Sequence, residues 1–224
     1  MKKTVLREYA RLIVRMGVNV QKGQDVVIYA DLDQPEFVAM VVEEAYKAKA
    51  REVTVEWNYP ALTKYHVRYQ SLKTLSTVED WQIEKRKHQV ETLPCRIHLI
   101  SDDPDGLKGI NMAKMAKARQ NRYPILKPFS DQMEKWCIAA VPGLAWAKKV
   151  FPGVRGSQAV EKLWEAILST SRVNGDAVQA WKDHDRDMMD RCAYLNNLGI
   201  ASLHYTAANG TDLRVGMIKE ARFC

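Results

Sequence analysis

The sequence predicts an α/β fold: a mostly parallel sheet with helices on both faces, followed by the first hairpin of a second domain. Three observations carry this. Val26–Ala30 is short, largely β-branched and apolar on both faces, as expected of a strand buried in a parallel sheet, and Val53–Trp57, Arg96–Ile100 and Trp136–Val141 read as three further strands. The stretches between them repeat apolar residues at three- and four-residue steps, and they are long enough for the crossovers that parallel strands require. Finally, Asn209-Gly210 separates two late strand-like runs, a strong hairpin signal.

The opening helix rests on Val5, Leu6, Tyr9, Leu12, Ile13 and Met16, which fall on one helical face. Lys22-Gly23 turns the chain into the first strand, which Asp31 and Asp33 close. Pro35 suits a first helical turn, where its missing N–H is not needed, and the helix continues from Phe37 to Lys49. Lys49-Ala50-Arg51 leads to the second strand without the glycine that many α/β proteins place after a helix. Helical periodicity then covers Tyr59 to Tyr69 and Leu72 to Glu91 ahead of the third strand.

The polar turn Ser101-Asp102-Asp103-Pro104-Asp105-Gly106 follows that strand. A basic helix is expected over Ile110 to Asn121, and another starting near Ser130, before the fourth strand ends at Pro142-Gly143. From there the reading is helical: Leu144 to Val150, Gln158 to Thr170 and Asp176 to Asn197. Ala201 to Tyr205 and Leu213 to Met217 form the hairpin. Residues 1–198 are expected to be an amino-terminal α/β domain with a helical extension, and 199–224 the start of a second domain. A chain that ends just after opening a hairpin reads as cut short.

With 224 residues and 46% hydrophobic content, the chain can bury a sizeable core. It carries 34 basic and 27 acidic side chains, a net charge of +7 that on charge alone leaves an anionic partner open. The densest basic stretch, Lys108, Lys114, Lys117, Arg119, Arg122 and Lys127, has near-helical spacing and reads as a solvated helix face. Arg7, Glu8 and Arg11 interrupt any signal-peptide core, and no run approaches the roughly 18 apolar residues of a membrane span. Cys95, Cys137, Cys192 and Cys224 are widely spaced and read as reduced thiols, so a cytoplasmic protein is expected.

Chemical motifs are sparse. No GxGxxG, GxxxxGK[ST] or GxSxG follows a strand, which argues against nucleotide binding and a serine nucleophile elbow. Gly106-Leu107-Lys108-Gly109 reads as a turn and cap. Asp183, His184, Asp185, Asp187 and Asp190 form the densest metal-like constellation, but Arg186 and Arg191 are interleaved and one helix cannot easily enclose an ion. The expectation is a solvated or salt-bridged face. His66, His88, His98 and His204 stand apart in sequence, with His98 and His204 the better placed for a cleft. Asp31, Asp33, Trp57, Asn58 and Asp102 sit at carboxyl ends of strands, where open α/β sheets bind ligands and where they could line a pocket, but they are read first as helix caps and turn residues. Trp136, Trp146, Trp164 and Trp181 are expected to pack. Trp81 beside Lys85, Arg86 and Lys87 only approximates a nucleic-acid stacking platform.

Several segments together resemble the M29 aminopeptidases. Tyr9-Ala10-Arg11-Leu12-Ile13-Val14 leads to Gly17-Val18-Asn19-Val20-Gln21-Lys22-Gly23-Gln24, like that family's opening helix and turn. Val141-Pro142, Trp146-Ala147 and Phe151-Pro152 are similar to its "P…WA…FP" segment. Leu163-Trp164, Arg172, Trp181, His184, Arg191 and Leu195-Asn196 resemble its helical region, and Leu203-His204-Tyr205 with Gly210-Thr211-Asp212-Leu213 its hairpin. Arg51 departs from the glycine-alanine approach usual before the second strand.

The resemblance implies an intact protein that removes amino-terminal residues from peptides, uses two divalent metal ions such as zinc or cobalt, and forms a homodimer. It also implies that the metal ligands lie beyond Cys224 in the catalytic domain that the hairpin opens. On this reading no residue here is catalytic, cofactor-binding or metal-ligating, and the chain alone is inactive. No nucleic-acid or membrane partner is expected. A non-catalytic module binding a peptide or small molecule is the alternative, and a basic nucleic-acid-binding domain a weaker one.

Overall fold

In the computed structural model, which describes residues 1–224 apart from Asp102 and Glu134, the chain falls into two compact units, Met1–Ala177 and Val178–Cys224. The sequence grouped the last long helix with the first domain; in the structure nearly all of that helix belongs to the unit that carries the hairpin.

The first unit is built on a sheet of four parallel strands: β1 (Asp25–Asp31), β2 (Glu52–Asn58), β3 (Cys95–Ile100) and β4 (Trp136–Ala140), in the order β2-β1-β3-β4. The register runs Val26 opposite Val53 and Cys95, Ile28 opposite Val55 and Ile97, and Ile97 opposite Cys137. Strand residues alternate faces, so Val26, Ile28, Ala30, Cys95, Ile97 and Leu99 share one, and all are nearly inaccessible to water.

Helices α1 (Lys3–Leu12) and α2 (Pro35–Lys47) cover that face. Tyr9 stacks on Phe37 at 5.6 Å and meets the edge of Trp164 at 6.1 Å, while its hydroxyl donates to the Ala140 carbonyl at 3.1 Å, tying the opening helix to the end of β4. Burial pushes the Tyr9 phenol up to about 12. The opening helix is shorter than its apolar pattern: after Leu12 it widens into a π-helical turn over Ile13–Gly17, where Gly17 packs against Cys137 so closely that a Cβ would lie 2.6 Å from the sulfur.

The other face carries α5 (Asp80–Thr92), preceded by α3 (Pro60–Tyr69) and α4 (Leu72–Ser76). The sequence joined Leu72 to Glu91 in one helix. The structure breaks it at Thr77–Glu79, because Ser71 caps the first piece and Glu79 starts the second with a capping box to Gln82. Two more expectations are corrected. The basic helix α6 (Met112–Ser130) continues through Pro124 and Pro128, and the chain turns where a helix was expected to begin. Both prolines lie on the exposed side, where water can take the carbonyls that their missing N–H groups leave free. Lys49 stands where many α/β proteins have a glycine after the helix and itself adopts φ +70°, with its carbonyl accepting from the Gly23 amide at 2.8 Å.

After β4 come α7 (Leu144–Val150) and α8 (Gly156–Thr170), whose Leu163, Trp164, Ile167 and Leu168 are buried. The second unit contains α9 (Ala177–Asn197) and an antiparallel pair, β5 (Ser202–Thr206) and β6 (Asp212–Gly216). Its Asn196 side chain exchanges two hydrogen bonds with the Phe223 backbone, each 2.9 Å.

Candidate functional site

The strand order fixes where a crevice can form. From β1 the chain moves outward to β2 and then crosses to β3 on the opposite side of β1. Loops leaving the carboxyl ends of β1 and β3 therefore diverge at a topological switch point. Asp31 ends β1, Asn58 ends β2, Ser101 follows β3 and Gly143 follows β4.

At this point Asn58 Nδ2 donates to Asp31 Oδ1 at 2.6 Å, and the Ser101 hydroxyl donates to Asp33 Oδ1 at 2.7 Å, with Asp31 Oδ2 at 3.4 Å from the same oxygen. Ser101 is 3% exposed and Asp31 9%. Gly143 completes the floor: a Cβ there would lie 2.5 Å from the Ser101 carbonyl oxygen and 2.8 Å from Asp33 Oδ2. The adjoining cavity, about 270 Å³, is lined by Asp31, Asp33, Tyr59, Lys64, Ser101 and Asp103. Two carboxylates around one buried hydroxyl form a polar, acceptor-rich pocket suited to a cationic or hydrogen-donating group.

Of the residues singled out in the sequence, the structure brings Asp31, Asp33 and Asn58 together, whereas Trp57 lies apart from the crevice and Asp102 lies outside the described residues. Ser101 and Gly143 were not singled out. The signal that marks them is position, each being within a few residues of the carboxyl end of a central or neighbouring strand.

His98 faces away from the crevice's core and stacks on Tyr29 at 4.7 Å, with its pKa pushed below the usual value first by burial and then by the Arg96 charge. His204 meets Asp212 at 2.6 Å in the hairpin, and His66 bonds Gln70 at 3.2 Å. His88 lines a separate hollow beside β1 and β2.

On α9, Asp183 pairs with Arg186 at 3.2 Å and Asp187 with Arg191 at 3.0 Å, within-helix pairs that hold those carboxylates on the surface. Among the described residues no group of three or more His, Cys, Asp or Glu is placed to hold a metal ion, so the donor set in hand does not fit a divalent site. Two basic residues of α6 are engaged within the protein: Lys114 Nζ donates to the Val67 and Gln70 carbonyls at 2.8 and 2.5 Å, capping the end of α3, and Lys127 pairs with Asp131. No described helix is long and apolar enough to cross a membrane. Trp136, expected to pack, is instead 55% exposed and lines a hollow whose described lining residues all come from the strands.

The fold and site define a doubly wound α/β domain with a carboxylate-lined crevice at its switch point. The family described as "Thermophilic metalloprotease (M29)" matches residues 2–224. The chain is 34% identical to aminopeptidase AmpS of Bacillus subtilis over 215 residues, covering 94% of this chain and 52% of that protein. It is 30% identical to aminopeptidase T of Thermus thermophilus over 220 residues, covering 96% and 54%. The solved structure of wild-type AmpT from Thermus thermophilus superposes with a TM-score of 0.84 at 29% identity, over 96% of this chain and 54% of that one. This chain belongs to the M29 family, and it spans about half the length of the relatives it matches.

Proposed function

We propose that this chain is the amino-terminal half of a metal-dependent aminopeptidase that releases amino-terminal residues from peptides. The observation that carries the reading is the family match along the whole chain, to relatives named as aminopeptidases of which it covers about half. In the intact enzyme two divalent ions, zinc or cobalt in kind, supply the Lewis-acid chemistry of peptide hydrolysis. The described residues here offer no matching donor set, so no step through the metals is assigned to them. The role assigned to this half is to wall the substrate cavity or to form contacts in a cytoplasmic homodimer, and the chain by itself is inactive.

The test pairs two measurements on the native gene product: its intact mass, and release of amino acids from short peptides with and without cobalt or zinc. Metal-dependent release by a product much heavier than 25.6 kDa supports the proposal. A product of this mass that is inactive with every metal overturns it in favour of a non-catalytic binding module, the reading that the switch-point crevice by itself favours.

A further inference from the structure

The sheet face opposite α1 and α2 is only partly covered. Lys85 of α5 pairs with Glu56 at 2.9 Å, and α5 lies over β2 and the beginning of β1. Farther along, Tyr29, His98, Ile100, Trp136 and Ile138 are left open, and Trp136 and Ile138 are each 55% exposed. The two edges of the sheet contrast. β2 carries Glu52 and Glu56, the charges that usually keep an edge from sticking, whereas β4 (Trp-Cys-Ile-Ala-Ala) carries none. The open strands shape a trough of about 430 Å³, within the range of ligand sites, whose lining comes entirely from strand residues.

The trough has unlike ends. At one lies Arg96, whose Nη2 donates to the Met133 carbonyl; among the described residues its buried Nε meets no acceptor and it forms no ion pair. A partly buried guanidinium with no counter-charge among the described residues is uncommon. At the other end lie Asn58 and Asp31. Asp31 Oδ1 is taken by Asn58, but the single Ser101 proton is better placed on Asp33, so Asp31 Oδ2 keeps accepting capacity. Neither Asp31 nor Asp33 has an ion-pair partner among the described residues. Arg96 pairs in register with Val27, four residues before Asp31, which sets the ends roughly 13 Å apart at about 3.3 Å per residue. Between them stand the Tyr29–His98 stack and the side chains of Trp136 and Ile138. Burial and the Arg96 charge lower the His98 pKa, which disfavours a charged ring there, and among the described lining residues Arg96 is the arginine or lysine of that end.

We propose that this trough binds a short zwitterionic peptide, its carboxylate on Arg96, its α-ammonium toward Asp31 and an apolar side chain against Trp136 and Ile138. Three extended residues span roughly 10–11 Å and fit within the roughly 13 Å between those backbone positions. Reading the zwitterion as a peptide rests on the proposed aminopeptidase function; the spacing of charges and the apolar wall rest on the structure alone.

The experiment is calorimetric titration of the 224-residue chain, without added metal, with the tripeptide alanyl-phenylalanyl-alanine as the free acid, its carboxyl-terminal amide and its N-acetyl form. Saturable one-to-one binding is expected for the free acid, weakened about tenfold by either blocked end, as expected for loss of a charge-assisted hydrogen bond. Arg96→Gln is expected to weaken the free acid about tenfold and leave the amide unchanged, and Trp136→Phe to remove most of the accompanying fluorescence change. The wild-type comparison of acid with amide does not depend on how any variant folds.

Equal affinity for acid and amide, undiminished binding to Arg96→Gln, or no saturable heat overturns the proposal. So does concentration-dependent self-association that Ile138→Asp abolishes, which would give the face to a second copy of the chain. Because no turnover is measured, a negative titration leaves metal-dependent release by the native product to be judged separately. Conversely, saturable binding with no release by the native product keeps the trough and removes the hydrolase.

Discussion

Replacing Gly143 by alanine tests how the crevice is closed. Gly143 sits at φ −73°, ψ 152°, a conformation that alanine adopts freely, so the effect of Gly143→Ala is steric rather than conformational. The new Cβ would lie 2.5 Å from the Ser101 carbonyl oxygen and 2.8 Å from Asp33 Oδ2. The Asp33 side chain can rotate away, at the expense of its bond to the Ser101 hydroxyl. The Ser101 carbonyl cannot, being backbone fixed at the end of β3 beside the 2.8 Å Val141-to-Ile100 hydrogen bond. Relief requires the ends of β3 and β4 to separate by several tenths of an ångström, the kind of overpacking that costs about 1–3 kcal/mol.

For a unit the size of Met1–Ala177 that corresponds to a fall in thermal midpoint of ~3–9 °C. Thermal melts followed by circular dichroism, with urea titrations to confirm an unchanged slope, measure it. Gly216→Ala is the control: a Cβ there meets nothing within 4 Å, and its midpoint is expected to stay where it is. A Gly143→Ala midpoint matching that control would refute the close approach of these three residues.

Two further predictions concern pH. Tyr9 has a folded pKa of about 12 against an ordinary value of 10.0, so its contribution is intact below pH 10 and is lost as pH rises from there through 12, at up to about 1.4 kcal/mol per pH unit. Alkaline melts of Tyr9→Phe are expected to show a shallower loss of stability than wild type, at a cost near neutrality of about 1 kcal/mol for the lost bond to Ala140; parallel alkaline slopes would count against the burial. His98 has a pKa lowered by burial and by Arg96, so the unfolded chain binds the proton first and stability falls as pH drops below about 6.5. Acid melts of His98→Asn are expected to lose less over that range than wild type, and an identical acid slope would show that the ring titrates as if free.

The strands were legible because each is a short run rich in apolar and β-branched residues, and all four appear within a residue or two of where the pattern puts them; β1 alone is buried on both faces, while β2 and β4 leave residues exposed. The opening helix and the hairpin were legible for the same kind of local reason. Helix ends were not. The break at Thr77–Glu79 depends on side-chain caps, and the passage of α6 through Pro124 and Pro128 depends on those residues facing water. Ser101 was hidden because a serine in a polar turn looks like any other until β1 and β3 are known to be neighbours.

By itself the sequence determined the alternation of strands and helices, since hydrophobic periodicity is a property of nearest neighbours along the chain, and it carried the family resemblance in ordered segments from Tyr9 to Leu213. Only the tertiary structure decided which strand ends meet, that Asp31, Asp33, Asn58 and Ser101 share one crevice, and that Arg96 and Trp136 face an open part of the sheet. Those facts depend on strand order and on which helix covers which face, and both are set by contacts between residues far apart in sequence, which no local pattern records.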